Sequence, residues 1–172
     1  MPRQFAYWTR TTLANNWNIA LAATERGLCY LALPRDSVRG LKDWVSHHID
    51  DCALQEDPLA LEPYVQELNE YFSGLRQEFS GPVDLHGTPF QVAVWRALLG
   101  IPYGETRSYQ DIARAIGQPK AVRAVGMANG ANPVPVVVPC HRVIGKNGSL
   151  TGYSGGLDIK TLLLQQEGLL LV

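Results

Sequence analysis

The sequence predicts a chain of two parts: an α/β first part, a small antiparallel sheet with helices, and a mostly α second part containing a helix-turn-helix. Three observations predict it. Short apolar segments separated by turn residues occupy residues 5–33. Gly81-Pro82 interrupts the chain near its middle. Beyond that break, helix start and stop signals follow one another closely.

Phe5 to Leu13, Ile19 to Ala23 and Leu28 to Leu33 read as strands, separated by Asn15-Asn16 and Glu25-Arg26-Gly27. Val38, Leu41, Trp44 and Val45 recur at helical spacing, so 36–48 reads as a helix. A second helix has Asp57 as N-cap and Pro58 at its first position, Leu61, Val65, Leu68 and Phe72 on one face, and Gly74 at its end. Gln77 to Gly87 reads as a linker, giving a supporting domain over 1–80 and a second domain over 86–172.

In the second domain Pro89 opens a helix carrying Val92, Val94, Trp95 and Leu98, and Pro102-Tyr103-Gly104 breaks the chain. Ser108, with Asp111 three positions on, starts a short helix that Gly117 ends. Pro119 then opens a helix over Lys120 to Ala128. Two short helices joined by a glycine-containing turn form the helix-turn-helix pattern. The small residues Ala121, Ala124, Gly126 and Ala128 of the second helix fit two readings: close approach to a sugar-phosphate surface, or tight helix packing. Val134 to Val138, broken by Pro135, reads as a buried extended segment leading to Pro139-Cys140-His141-Arg142-Val143. A glycine-rich loop, Gly145 to Gly156, follows, and an amphipathic stretch, Asp158 to Gln166, ends at Glu167-Gly168.

Composition narrows the function classes. The chain has 172 residues, 46% hydrophobic and 18% charged, enough for a sizeable core. Its apolar runs are too short to span a bilayer, and no signal-peptide apolar region follows Met1. Three cysteines, Cys29, Cys52 and Cys140, argue against a disulfide framework and for a reducing, cytoplasmic setting, nucleoid-associated in a bacterium. Residues 1–81 carry seven Lys/Arg against eleven Asp/Glu, and residues 82–172 carry eight against five. A basic second half suits a polyanionic partner.

Cys140 is the candidate for chemistry. It follows a proline of fixed φ and sits beside an imidazole, an arrangement that presents a thiol for reaction. The blander role of a cysteine is that of a small buried hydrophobe, and the surrounding motifs decide between them.

Residues from about 85 to 168 resemble the O6-alkylguanine–DNA alkyltransferase (methylated-DNA–protein-cysteine methyltransferase) family. The matching pieces are Phe90 to Trp95, Ile101-Pro102-Tyr103-Gly104, Ser108-Tyr109, Arg123-Ala124-Val125-Gly126 and Asn132-Pro133. They continue through Val138 to Gly145, Thr151-Gly152-Tyr153-Ser154-Gly155-Gly156 and Glu167-Gly168. The resemblance implies an RNase H-like first domain and a winged helix-turn-helix second domain. It implies a single-turnover enzyme of direct-reversal DNA repair, in which Cys140 takes the alkyl group of O6-alkylguanine, with O4-alkylthymine as a further substrate left open.

In that reading His141 accepts the thiol proton through a water, and Glu167 orients the imidazole, repeating the logic of a nucleophile–base–acid triad. Tyr109 protonates the departing guanine at N3, and Ser154 meets the O6 region from a loop that includes Tyr153 and Gly155. The backbone carbonyls of Cys140 and Val143 accept from the exocyclic amine. The nucleotide must leave the stack to react. Arg123 resembles the finger that fills the gap, on a helix whose Ala124 and Gly126 allow close approach, and Asn132 ties that helix to the Val134–Pro139 segment. The implied partner is double-stranded alkylated DNA, bound by a monomer, with cooperative binding along DNA left open.

The chain departs from the family at Asn15-Asn16-Trp17-Asn18, where a Ser-Pro-x-Gly turn is frequent. Some members hold a structural zinc, but Cys29, His47, His48 and His86 do not assemble into a four-ligand set at familiar spacing, so neither metal nor cofactor is expected. Three rivals remain: a non-catalytic alkylated-lesion sensor, of a kind that lacks the cysteine; a winged-helix DNA-binding regulator, which the small groove-facing residues disfavour; and a Cys-His-Glu hydrolase, which would regenerate its thiol.

Overall fold

The computed structural model describes residues 3–150, 153 and 156–169. The chain forms two compact units, Met1–His86 and Gly87–Val172.

The first unit is a four-stranded sheet with helices. Strands β1 (Gln4–Thr12), β2 (Asn18–Thr24) and β3 (Gly27–Ala32) pair antiparallel in sequence order. Asn16 takes a left-handed φ of 67° in the first turn, a conformation Asn tolerates. Helix α1 (Val38–His48) begins at Ser37, whose side chain accepts from the Gly40 amide. Its Leu41 and Val45, with the following Ile49, pack on Ala6, Trp8, Ala20 and Ala22. Strand alternation sends Ile19, Leu21 and Ala23 to the opposite face, where they are also buried.

A fourth strand, β4 (Cys52–Glu56), joins β1 in parallel at the sheet edge, giving the order β3-β2-β1-β4. The sheet is therefore mixed, whereas the sequence reading was antiparallel. Half-exposed and five residues long, β4 lacks the apolar alternation that marks a strand. Helix α2 (Pro58–Phe72) starts with the Asp57 cap and packs on β1 and β2. Its end is a Schellman motif: Gly74, at φ 78°, donates to the Tyr71 carbonyl and Leu75 to that of Glu70.

The stretch read as a linker is tied down. Leu28 donates to the Pro82 carbonyl, Asp84 donates to that of Leu28, and the Glu67 carboxylate accepts from the Ser80 and Gly81 amides. Gly27 is required here, because a Cβ would lie 2.4 Å from the Pro82 oxygen.

In the second unit a capping box between Thr88 and Gln91 starts α3 (Pro89–Leu99). The buried Trp95 of α3 donates from Nε1 to the Ala128 carbonyl at 2.8 Å. Strand β5 (Arg107–Ser108) leads into α4 (Tyr109–Ala115), whose Ser108–Asp111 capping box is complete, and Gly117 closes that helix at φ 74°. Helix α5 (Val122–Gly130) starts two residues later than the sequence suggests. Pro119 and Lys120 form a turn instead, and no side chain caps the helix, so nothing anchors an earlier start. The helix-turn-helix buries Val125, Ala128 and Asn129 and exposes Arg123, Ala124 and Met127.

The Val134–Val138 segment is not extended. Val138 donates to the Val134 carbonyl, Val137 to that of Pro135, and Val136 sits at φ 72°. A left-handed valine is strained by about 1–2 kcal/mol, so surrounding bonds must hold it. A 3₁₀ turn over Cys140–Arg142 follows, then β6 (Val143–Ile144), parallel to β5, and α6 (Leu157–Gln166). Among the described residues no helix is long and apolar enough to cross a membrane.

Candidate active site

Cys140 opens the 3₁₀ turn, with Pro139 as its N-cap, and is 4% exposed. Its amide donates to the Val138 carbonyl at 2.8 Å, and the Arg142 amide donates to that of Pro139 at 3.0 Å. Burial pushes the thiol up to about 11. The Asn132 side chain, the Lys160 charge, the local backbone and the Tyr153 hydroxyl oppose that rise without reversing it.

Both residues that follow Cys140 in the turn, His141 and Arg142, reach the Glu167 carboxylate. His141 is fully buried, and its Nε2 lies 2.7 Å from Glu167 Oε2. A carboxylate only accepts, so Nε2 carries the proton and Nδ1 holds the free lone pair. Nδ1 has no hydrogen-bond partner among the described residues. Burial holds the imidazole below its usual range; Glu167 pulls the other way, while Arg142 and Lys160 add to the lowering.

Glu167 sits where α6 ends. Gly168 at φ 77° donates to the Gln165 carbonyl and Leu169 to that of Leu164, a Schellman motif that fixes the Glu167 backbone. Its carboxylate is saturated: Oε1 accepts from Arg142 Nε at 2.8 Å and the Gly104 amide at 3.3 Å, and Oε2 accepts from Arg142 Nη2 at 3.0 Å besides His141. Such pairing explains how a charged group survives in a buried site.

The remaining site residues fall in several places. Asn132 donates to the Val138 carbonyl at 2.8 Å and accepts from the Val134 amide at 2.9 Å, bracketing the turn before Cys140. Tyr109 begins α4 half-buried, and a Cβ on Gly126 would touch its ring at 3.9 Å, so α5 approaches that tyrosine closely. Arg123 and Ala124 are exposed at the start of α5. Val143 is buried and its carbonyl accepts from Lys160 Nζ at 2.6 Å; Tyr153 is buried beside the thiol. Ser154 and Gly155 lie outside the described residues.

Sequence reasoning missed three side chains. Arg142 and Lys160 are buried, although charged residues are usually solvated. Lys160 did leave a signal: it shares the helical stripe of Leu163 and Leu164. Asn129, also buried, donates to the Cys140 carbonyl at 3.3 Å. No cluster of three or more His, Cys, Asp or Glu suited to a metal occurs among the described residues.

The site thus combines a buried thiol, a neutral imidazole with its lone pair free, and a carboxylate locked behind the ring, which is the equipment for moving a thiol proton.

Comparison with known proteins places this geometry among relatives. Residues 89–169 match the DNA-binding domain of 6-O-methylguanine DNA methyltransferase, and residues 11–85 match its ribonuclease-like domain. The inducible methylated-DNA–protein-cysteine methyltransferase of Bacillus subtilis is 50% identical over 161 residues, covering 94% of this chain and 89% of that one. The Mycobacterium tuberculosis protein of that name is 59% identical over 111 residues, 64% of this chain and 67% of its own. The crystal structure of M. tuberculosis O6-methylguanine methyltransferase aligns with a TM-score of 0.80 at 42% identity, covering 94% and 92% of the two chains. M. tuberculosis OGT in complex with DNA aligns with a TM-score of 0.77 at 44% identity, covering 95% and 92%.

Proposed function

The chain belongs to the 6-O-methylguanine DNA methyltransferase family, with the direct-reversal repair activity of a methylated-DNA–protein-cysteine methyltransferase, and we propose that Cys140 is the cysteine that takes the alkyl group. The observation that carries this assignment is the buried Cys140 next in sequence to a buried His141 whose Nε2 bonds Glu167 and whose Nδ1 has no partner among the described residues.

In the reaction the Cys140 proton passes to His141 Nδ1, by way of a water, and the thiolate sulfur attacks the alkyl carbon. A sulfur–carbon bond forms as the carbon–O6 bond breaks, its electron pair going to the guanine oxygen. The guanine anion then takes a proton from Tyr109 at N3, and the proton taken up by His141 replaces it on Tyr109 through solvent, leaving neutral guanine and S-alkylcysteine. A thioether is a poor leaving group, so each molecule reacts once.

The substrate is alkylated duplex DNA with the target nucleotide rotated out. The exposed Arg123, on a helix whose Ala124 and Gly126 permit close approach, fills the vacated stack. Asn132 holds the loop before Cys140, and the Cys140 and Val143 carbonyls, with Tyr153 beside the thiol, line the purine edge. Ser154, next to Gly155 in sequence, meets the O6 of the base in this reading, and the protein works as a cytoplasmic monomer.

Peptide mass spectrometry after incubation with a duplex containing O6-methylguanine tests the assignment. One added methylene on the Cys140 peptide, stoichiometric with repaired guanine, is expected. A bound but unrepaired lesion with Cys140 unmodified would refute it in favour of a lesion sensor, and several turnovers per molecule would refute single use.

A further inference from the structure

The Glu167 carboxylate makes more hydrogen bonds to other groups than to the His141 imidazole. Arg142 takes both carboxylate oxygens in a fork, Nε to Oε1 at 2.8 Å and Nη2 to Oε2 at 3.0 Å. Its third arm, Nη1, donates to the Ile101 carbonyl at 2.6 Å. That carbonyl precedes Pro102-Tyr103-Gly104, the turn whose Gly104 amide also reaches Oε1, and the Tyr103 hydroxyl donates to the Gln166 carbonyl at 3.0 Å. One buried guanidinium therefore joins the 3₁₀ turn, the helix end and the 101–104 turn.

We propose that Arg142 is a positioning residue for alkyl transfer: its fork fixes the plane of the Glu167 carboxylate, and through it the His141 ring that receives the Cys140 proton. The inference rests on the assignment of Cys140 above. The geometry demands such an aid, because a carboxylate can rotate about its terminal bond, and with His141 as its only side-chain partner the oxygen facing Nε2 would not be fixed. The fork stops that rotation. Arginine suits the task and lysine does not, since an ammonium cannot span two carboxylate oxygens and a carbonyl in one plane.

The charges around His141 follow the same plan. Glu167 faces Nε2, Arg142 lies behind the carboxylate, and Lys160 of α6 is the remaining charge that acts on the ring. Of the other helices near the turn, α3 carries only Arg96 and α5 only Arg123, both exposed. The Arg142–Glu167 pair is neutral overall, so the carboxylate orients the ring without the full pull of an unpaired anion. Arg142 adds to the lowering of the imidazole, which keeps the ring ready to accept a proton.

Two variants separate position from charge. Arg142→Lys keeps the charge and loses the fork; Arg142→Gln loses the charge. The readouts are the single-turnover transfer rate against pH on an O6-methylguanine duplex, and the ring-nitrogen chemical shifts of His141 by NMR in the full-length protein. Arg142→Lys is expected to slow transfer roughly ten- to a hundredfold, as loss of an imidazole's supporting partner does elsewhere, and to replace the single Nε2–H tautomer with a mixture. Arg142→Gln is expected to move the His141 titration, and the acid limb of the rate profile, to higher pH.

Parental rates with an unchanged tautomer and titration in folded Arg142→Lys would overturn the proposal. So would a slowing accounted for by the unfolded fraction alone, measured by thermal melting. If Arg142→Gln does not fold, Arg142→Lys still decides. Should the parent transfer no alkyl group, the assignment of Cys140 fails, whereas the His141 spectra still report whether Arg142 sets the ring.

Discussion

Asn132→Asp replaces one atom group in the loop that carries Cys140, and its consequence can be worked out from two distances. The Asn132 amide donates to the Val138 carbonyl at 2.8 Å, and its oxygen accepts from the Val134 amide at 2.9 Å. Together these bonds bracket Val136, which sits at φ 72°. An ionised aspartate keeps the bond to Val134 but faces the Val138 oxygen with a second acceptor. The Val138 carbonyl keeps its bond from the Cys140 amide but loses its second donor, which costs about 0.5–1.5 kcal/mol, and an unpaired charge buried against it adds more. We expect a loss of about 3 kcal/mol at pH 7.5, a large share of the 5–15 kcal/mol typical of a domain.

The loss should depend on pH with a definite sign. Burial beside a carbonyl raises the folded-state pKa of the new carboxyl above its unfolded value of about 3.9. The folded variant then binds the extra proton, and the protonated carboxyl can donate to Val138 as the amide did. Relative to the parent, the variant is best below about pH 4 and loses stability as pH rises through the folded pKa. Urea unfolding of both proteins at pH 4 and pH 7.5 measures the difference at each pH. A loss under about 0.5 kcal/mol at pH 7.5, or one equal at both pH values, would refute the view that this side chain holds the loop.

Four further outcomes are expected. Glu67 is partly buried, which opposes ionisation, but the Ser80 hydroxyl, the Gly81 and Ser80 amides and Arg76 hold its carboxyl below the usual range. Glu67→Gln should therefore destabilise the parent at pH 7, and denaturant unfolding should show the deficit shrinking as pH falls through the Glu67 pKa. Gly87→Ala should cost about 1–3 kcal/mol by thermal melting, because its Cβ would lie 2.6 Å from the buried Trp95 ring. Maleimide labelling at pH 8 should modify half-exposed Cys52 first; Cys29 and Cys140 are buried, with thiols pushed up to about 12 and about 11. Arg123→Ala should slow repair of duplex DNA far more than reaction with free O6-alkylguanine in a single-turnover assay, since only the duplex requires a filled stack.

Local signals carried most of the fold, and they failed where tertiary contacts decide. Ser108 with Asp111, Asp57 with Pro58, and Gly74 all act as their spacing suggests. Strand β4 was invisible because a half-exposed parallel edge needs no apolar alternation. The Val134–Val138 run was misread because β-branched residues favour extended backbone, whereas here Asn132 closes the segment into turns. At the site, Cys140, His141 and Glu167 were legible through the family motifs, although the last two stand 26 positions apart. Arg142 and Lys160 were not, because sequence shows a charge but not the buried acceptor that will satisfy it.

The burial of the thiol is at odds with the nucleophile's task proposed for it, and charge balance resolves the conflict. With its thiol pushed up to about 11, Cys140 alone would be a thiolate in roughly one molecule in 10⁴ at pH 7. For a protein that reacts once this is protective, since stray electrophiles meet a closed thiol that is 4% exposed. Passing the proton to His141 changes the comparison, because a thiolate beside an imidazolium is a neutral pair and suffers much less from burial than a lone anion. Lowering His141 too far would close that route, and Glu167 opposes the lowering while Arg142 limits how far it does so. On the proposed assignment, Glu167 and Arg142 thus poise His141 so that the thiol stays protonated at rest and yields its proton within the site when an alkyl carbon is brought to it.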